Sequence, residues 1–352
     1  MQVTYSPAYT IVPTYECFNH CSYCNFRVDP GADIWMPLAT ARQRLEQLQG
    51  QGVCEILILS GEVHPRSSRR SLWLEHLINL CQLAIDYGFL PHTNCGILSL
   101  AEMAELKKVN VSMGLMVEQI TPKLLENVHR HAPGKVPALR LEQLEFAGQL
   151  KIPYTTGLLL GIGEIETDWV DSLEAIAEIQ NKYGHIQEVI LQPYSPGSKE
   201  AHPKHHQLTS FDPQKLPQVI NLARQILPAS IAIQIPPNLV PDSQWLLACL
   251  DAGARDLGGI SPFDEVNPDY PHHQELQAQL SKNNYQLIPR LPVYPQYISW
   301  LDSKLQDLAL SWLKYFQNPD YFPQAINTDF TNPDNSTNLT NSTIPGYLVN
   351  AN

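Results

Sequence analysis

The chain has 352 residues, 43% of them apolar and only 16% charged, which is ample for a packed core and rules out a disordered or fibrous protein. Its 35 acidic residues against 23 basic ones give a net charge of −12, which excludes the basic face that a nucleic-acid partner demands. The start of the chain lacks a basic, apolar leader, and no run approaches the roughly 18–20 apolar residues of a bilayer span, so a cytoplasmic protein with no membrane partner is expected.

Short β-branched runs alternate with segments of helical period. Strand Tyr9–Pro13 leads to helix Pro37–Gln49, Glu55–Ser60 to Leu72–Tyr87, and Phe89–Thr93 to Ala101–Lys107. Val111–Met116 then leads to Pro137–Leu150, Thr155–Leu160 to Trp169–Lys182, and Glu188–Leu191 to Pro213–Leu227. Ala232–Ile235 leads to Gln244–Asp251, and the weakest strand, Arg255–Gly258, closes the series. Eight such units predict an α/β fold, a (β/α)8 TIM-type barrel, over residues 1–317. From Asn327 to Thr343 the chain is almost wholly Asn, Thr and Ser, so residues 318–352 are expected to form a disordered tail. His202, His205 and His206 lie in a Pro- and Lys-containing loop with irregular spacing and are read as solvated.

Seven cysteines in a chain without an export signal do not describe a disulfide framework. Three of them, Cys17, Cys21 and Cys24, form a C-x3-C-x2-C run directly after the first strand. Cys21 and Cys24 alone would suit a redox pair, but Cys17 is then surplus. A structural zinc wants a fourth ligand, and only His20, between two of the cysteines, is near. Three ordinary buried thiols would not be expected so close together in a loop. The remaining reading is a [4Fe–4S] cluster on three thiolates with one iron left open, at the barrel end where such folds place their chemistry.

This cysteine run, with Tyr23 before its last member, resembles the radical S-adenosylmethionine (SAM) superfamily. The resemblance implies that Cys17, Cys21 and Cys24 ligate the cluster and that SAM chelates the open iron. Electron transfer from the cluster then yields methionine and a 5′-deoxyadenosyl radical. Ser60-Gly61-Glu62, after the second strand, is similar to the family's Gly-Gly-Glu motif for the methionine amino group. Gly157-Leu-Leu-Leu-Gly161-Ile-Gly-Glu164 is similar to its G-x-I-x-G-x-x-E, with Leu159 for Ile. By the same resemblance Tyr23 packs near the adenine and Glu118, after the fourth strand, accepts from the ribose hydroxyls. Asn94 ends the third strand and joins this set of SAM contacts.

Longer stretches resemble the CofG-type subunit of 7,8-didemethyl-8-hydroxy-5-deazariboflavin (FO) synthase. They include Tyr9 to Arg27, Pro91 to Ser99, Ser112 to Glu118, Ile235-Pro-Pro-Asn-Leu239, Asp251 to Pro262 and Arg290 to Tyr297. That resemblance implies a radical SAM lyase acting on the 5-amino-5-(4-hydroxybenzyl)-6-(D-ribitylimino)-5,6-dihydrouracil adduct. A CofH-type synthase partner would supply the adduct, and ring closure with loss of ammonia would give FO. An electron donor of unspecified kind is required. Asn238 and Asp256, expected at the ends of strands seven and eight, are the candidates for holding the substrate, with Asp256 also a candidate proton acceptor. An ion pair between Asp256 and Arg255, or a helix cap, is the structural alternative. The CofH-type partner itself, another barrel radical SAM enzyme of the biotin-synthase kind, and a non-catalytic metal module are the competing readings.

Overall fold

The computed structural model describes residues 1–197, 208–240, 242–261 and 273–318. The His202, His205 and His206 loop and the expected tail beyond Asn318 lie outside them.

Eight parallel strands close into a barrel: β1 (Gln2–Ile11), β2 (Glu55–Leu59), β3 (Leu90–Asn94), β4 (Ser112–Gly114), β5 (Tyr154–Leu160), β6 (Ile186–Pro193), β7 (Ala232–Gln234) and β8 (Asp256–Ile260). Each pairs with its sequence neighbour, and β1 pairs with both β2 and β8, so no edge of the barrel is left open. Helices α1 (Leu38–Leu48), α2 (Arg70–Asp86), α3 (Leu100–Lys107), α4 (Pro137–Gln149), α5 (Glu166–Tyr183), α6 (Leu216–Ile226) and α7 (Ser243–Asp251) follow β1 to β7 in turn. Helix α8 (His273–Lys282) comes after β8. The expected (β/α)8 fold is therefore the observed one.

The strand sequences show why a barrel forms. In β2 (EILIL), Ile56 and Ile58 are fully buried in the apolar core, while the alternate residues Leu57 and Leu59 are only half-buried. One face of the strand thus belongs to the helix layer and the other to the lumen. Helix α3 starts at a capping box in which Ser99 Oγ accepts from Glu102 N and Glu102 accepts from Ser99 N. Glu102 is also gripped by both ends of the buried Arg70 guanidinium, at 2.7 and 2.9 Å, which locks α2 to α3.

Two features lie beyond the eight predicted units. A ninth strand, β9 (Gln286–Pro289), pairs in parallel with Gln2–Tyr5 of β1, below the part of β1 that meets β2. A last helix, α9 (Ser303–Gln317), buries Leu305, Leu308, Ala309 and Trp312 at helical spacing. Between them the chain crosses the N-terminal opening of the barrel. Arg290 N donates to Tyr5 O at 2.7 Å, and Pro292 O accepts from Ser112 Oγ at 2.7 Å and Gln187 Nε2 at 2.8 Å. Residues 290–294 therefore touch β1, β4 and β6 together, and they floor the barrel opposite the cysteine loop. No helix among the described residues is long and apolar enough to cross a membrane.

Candidate active site

The cysteine loop runs on from β1 and is held from two sides. Toward β2, Gly61 N donates to Thr14 O at 2.9 Å and Phe18 N to Glu62 O at 3.0 Å. A Cβ on Gly61 would lie 2.1 Å from Glu16 O, so this close backbone approach requires glycine. From above, the connection between β4 and α4 lies across the loop. His20 N donates to His131 O at 2.8 Å and Ser22 N to Val128 O at 3.0 Å. Within the loop, Cys24 N donates to Cys21 O at 3.1 Å.

Cys17, Cys21 and Cys24 are all free thiols. Cys21 is buried and the other two are half-buried. Burial pushes the Cys21 thiol up to about 12 and also raises Cys17, with Glu62 adding to both shifts, so metal loading has to displace protons. Their soft donor set, on a short loop at the C-terminal mouth of β1, fits the three protein ligands of a [4Fe–4S] cluster. No three His, Cys, Asp or Glu side chains among the described residues converge on one point. A four-iron cluster does not require that, since each thiolate takes a different iron.

Beside the cysteines is a buried polar network. Glu62 accepts from Asn19 Nδ2 at 2.9 Å and from Arg140 Nη2 at 3.1 Å. Asn19 Oδ1 accepts from Gly134 N at 2.7 Å. Gly96, with φ +83°, packs on this glutamate, and a Cβ there would sit 1.9 Å from Glu62 Cγ. Arg140, 1% exposed, is used up at its other corners by Met116 O at 2.5 Å and Gly134 O at 3.1 Å. Glu118 pairs with Lys135 Nζ at 2.6 Å. Burial would raise the Glu118 carboxyl, but Lys135 and Arg140 more than offset it and hold it below the usual range. Glu118 has φ +66°, a strained conformation for a side-chain residue, fixed by Glu118 N donating to Gly157 O and Leu159 N donating to Glu118 O.

An apolar patch separate from the main core borders the same mouth. It is built from Leu124, Val128, Leu159, Ile162 and Tyr194, with Tyr23 packed against it. Tyr23 Oη lies 2.8 Å from His129 Nε2, and burial holds that imidazole neutral with a pKa near 3.

The structure brings Cys17, Cys21, Cys24, Tyr23, Gly61, Glu62 and Glu118 into one continuous region. Asn94 closes β3 beside it, its carbonyl accepting from Ser60 N at 3.1 Å. Glu164 is spent within its own loop, accepting from Gly161 N at 2.5 Å, Ile162 N at 2.8 Å and Trp169 Nε1 at 3.0 Å. Gly157 makes its close approach to β6, where a Cβ would lie 2.4 Å from Ile190 O. Asn238 sits in the turn after β7, and its buried Oδ1 has no hydrogen-bond partner. A buried amide oxygen left unmatched is costly.

Asp256 is elsewhere. It opens β8 instead of ending it, pairing with Gln234 and Thr4. Its partner is Arg290, at 2.5 and 2.8 Å, not Arg255. With Gly258 N and Thr4 Oγ1 also donating to it, this fully buried carboxylate anchors the floor. From Asp256 the strand runs on through Leu257 to Ile260 toward the mouth. Asn19, His129, Lys135 and Arg140 are site residues that the sequence did not disclose. Asn19 shares the cysteine motif, whereas Arg140 reads as an ordinary polar position of α4.

A cysteine-bearing loop over the first strand of a closed barrel, with carboxylates and a glycine-rich turn at later strand ends, defines a radical SAM barrel, and residues 11–176 match the Radical SAM superfamily. A curated relative from Trichormus variabilis, named 7,8-didemethyl-8-hydroxy-5-deazariboflavin synthase, is 62% identical over 311 residues, 88% of this chain and 90% of its own length. One of the same name from a Nostoc species is also 62% identical over 311 residues, 88% of this chain and 91% of its own. The FeFe-hydrogenase maturase HydG of Carboxydothermus hydrogenoformans shares the fold, with TM-score 0.69 at 16% identity over 89% of this chain and 77% of its own. The chain belongs to the radical SAM superfamily and, within it, to the family of 7,8-didemethyl-8-hydroxy-5-deazariboflavin synthases. Its cofactors are accordingly a [4Fe–4S] cluster and SAM.

Proposed function

We propose that this chain is the CofG-type subunit of FO synthase. It takes the hydroxybenzyl adduct of ribityliminouracil from a CofH-type partner and converts it to FO with loss of ammonia. The observation that carries this reading is 62% identity to FO synthases along a chain whose three cysteines, Glu62 and Glu118 share one mouth.

Cys17, Cys21 and Cys24 would hold the cluster. With SAM bound and one electron supplied, the pair would provide a deoxyadenosyl radical, with methionine as the other product. The chain's own residues then set position and polarity. Glu62, fixed by Asn19 and Arg140, is the acceptor for the methionine ammonium. Lys135, whose side chain is 13% exposed, is the cation left facing the site beside Glu118. Glu118, held ionised, accepts from the ribose hydroxyls. The patch around Tyr23 and Ile162 offers a face to adenine, and the Glu164-bound turn fixes its edge. Asn238, with its unmatched oxygen, is the substrate contact at the mouth. The closed barrel keeps water from a reactive intermediate. An electron donor acts from outside, and the protein works in the cytoplasm.

Substrate choice tests the reading. The reconstituted enzyme should make FO from the adduct and none from tyrosine with 5-amino-6-(D-ribitylamino)uracil. Adduct formed from tyrosine, with no FO made from the adduct, would move the chain to the CofH side.

A further inference from the structure

A barrel lumen is ordinarily filled by bulky branched side chains. Here its lower part is polar. Glu55 of β2, Thr155 of β5, Glu188 of β6, Gln234 of β7 and Asp256 of β8 lie around the Arg290 guanidinium that rises from the floor. Only the lumen allows side chains from opposite strands to meet one cation. Above this floor Leu57, Leu59, Met116 and Ile190 are half-buried, so they line open space with apolar walls.

Gln234, the last residue of β7, is a half-buried polar group on this floor. With its amide turned so that the nitrogen faces Glu188, that nitrogen donates to the two Glu188 oxygens at 3.2 and 3.1 Å. Glu188 cannot turn away, because Arg290 Nη2 holds it at 2.7 Å, Thr155 Oγ1 at 3.2 Å and Tyr294 Oη at 3.3 Å. The amide carbonyl therefore points away from Glu188, over Gly258. A Cβ on Gly258, which has φ +74°, would lie 2.3 Å from that end of the amide, so the glycine keeps the slot open.

We infer that Gln234 is the specificity-determining residue of the lumen. Its carbonyl accepts the imide N–H of a pyrimidinedione held beside the apolar walls. That imide is common to the adduct and to the FO product, so the inference rests on the proposed function. Glu188, Arg290 and Asp256 act through Gln234 as positioning residues. A fixed acceptor discriminates strongly, because a ligand without the matching donor leaves both groups unsatisfied.

The test uses fluorescence titration of the reconstituted full chain with FO and with FO methylated on the imide nitrogen. Wild type should bind FO at least about tenfold more tightly than the methylated compound. Gln234→Leu should lose about tenfold in FO affinity and no longer distinguish the two ligands. Gly258→Ala, which displaces the amide, should weaken FO binding likewise. Unchanged thermal midpoints and SAM binding after reconstitution establish that the variants fold. Turnover supplies a second readout: the Gln234→Leu KM for the adduct should rise with kcat largely retained. FO affinity and KM both unchanged in Gln234→Leu, or a methylation penalty that persists there, overturns the inference while leaving the proposed function intact. A wild type that neither binds FO nor converts the adduct overturns the proposed function, and the inference falls with it.

Discussion

Replacing Arg290 by methionine removes the one guanidinium on which the floor is built. Arg290 donates twice to Asp256 and once to Glu188, all within 2.8 Å, and the side chain is only 11% exposed. Methionine keeps much of the volume but leaves two buried carboxyls, with Glu55 close by, lacking a counter-charge. Breaking a buried pair on one side typically costs about 3–5 kcal/mol. The loss should depend on pH with a definite sign. In the wild type, burial would raise Asp256, but Arg290 more than offsets it and holds the carboxyl below its ordinary range. Its contribution is therefore fully present above the unfolded carboxylate pKa and constant between pH 5 and 8. In the variant, burial acts unopposed and lifts the folded pKa of Asp256, as burial already lifts Glu188. The folded variant then binds more protons than the unfolded chain, so its stability rises as pH falls. Urea unfolding at pH 8 should show a loss of about 3–5 kcal/mol, shrinking by half or more at pH 5. Adding Glu188→Gln and Asp256→Asn to the variant should recover much of the stability at pH 8. A loss under about 1 kcal/mol, the scale of an exposed pair, or an equal loss at both pH values would refute the assigned floor.

Other expectations concern the mouth. Cys24→Ala should abolish the visible absorbance of the reconstituted cluster while leaving the fold intact, since Cys24 is half-buried in a loop; retained absorbance would remove it from the ligand set. Gly96→Ala drives a Cβ into Glu62, so SAM affinity, read by equilibrium dialysis of the reconstituted protein, should fall about tenfold or more; an unchanged affinity would contradict the role given to Glu62. Lys135→Met removes the larger of the two cations that offset burial at Glu118 and so shifts its carboxyl upward; SAM binding of the variant should weaken as pH drops from 8 to 6, whereas wild-type binding should stay flat through that change. Glu164→Gln offers one acceptor oxygen where Gly161 N, Ile162 N and Trp169 Nε1 now share two, so the KM for SAM should rise a few-fold with cluster content unchanged.

Much of this was legible in the sequence because short chemical rules govern it. Alternating β-branched runs and helical periods give a barrel by packing alone, and Cys17, Cys21 and Cys24 announce a metal site by spacing. Glu62 and Glu118 were visible as polar residues just beyond strands. What stayed hidden depends on side chains meeting across the fold. Arg140 is one residue of a helix until α4 is packed behind the mouth, and only then does its guanidinium reach Glu62. Lys135 belongs to a connection that shows no pattern of its own. Asp256 opens β8, where the sequence predicts it at the strand's end, because a strand that opens with Asp and carries Gly258 and Gly259 has little β signal to set its bounds. Strand β9 is four residues long, too short for any period to register, and Arg290 gains its meaning only from the floor that follows it.

The central claim is tested most directly by anaerobic reconstitution with iron and sulfide, then incubation with SAM, a reductant and the adduct. The account predicts FO, seen by its fluorescence, together with 5′-deoxyadenosine, and loss of both in Cys24→Ala. A protein that holds a full cluster yet forms 5′-deoxyadenosine without FO would contradict the substrate assignment. One that forms neither would contradict the radical mechanism itself.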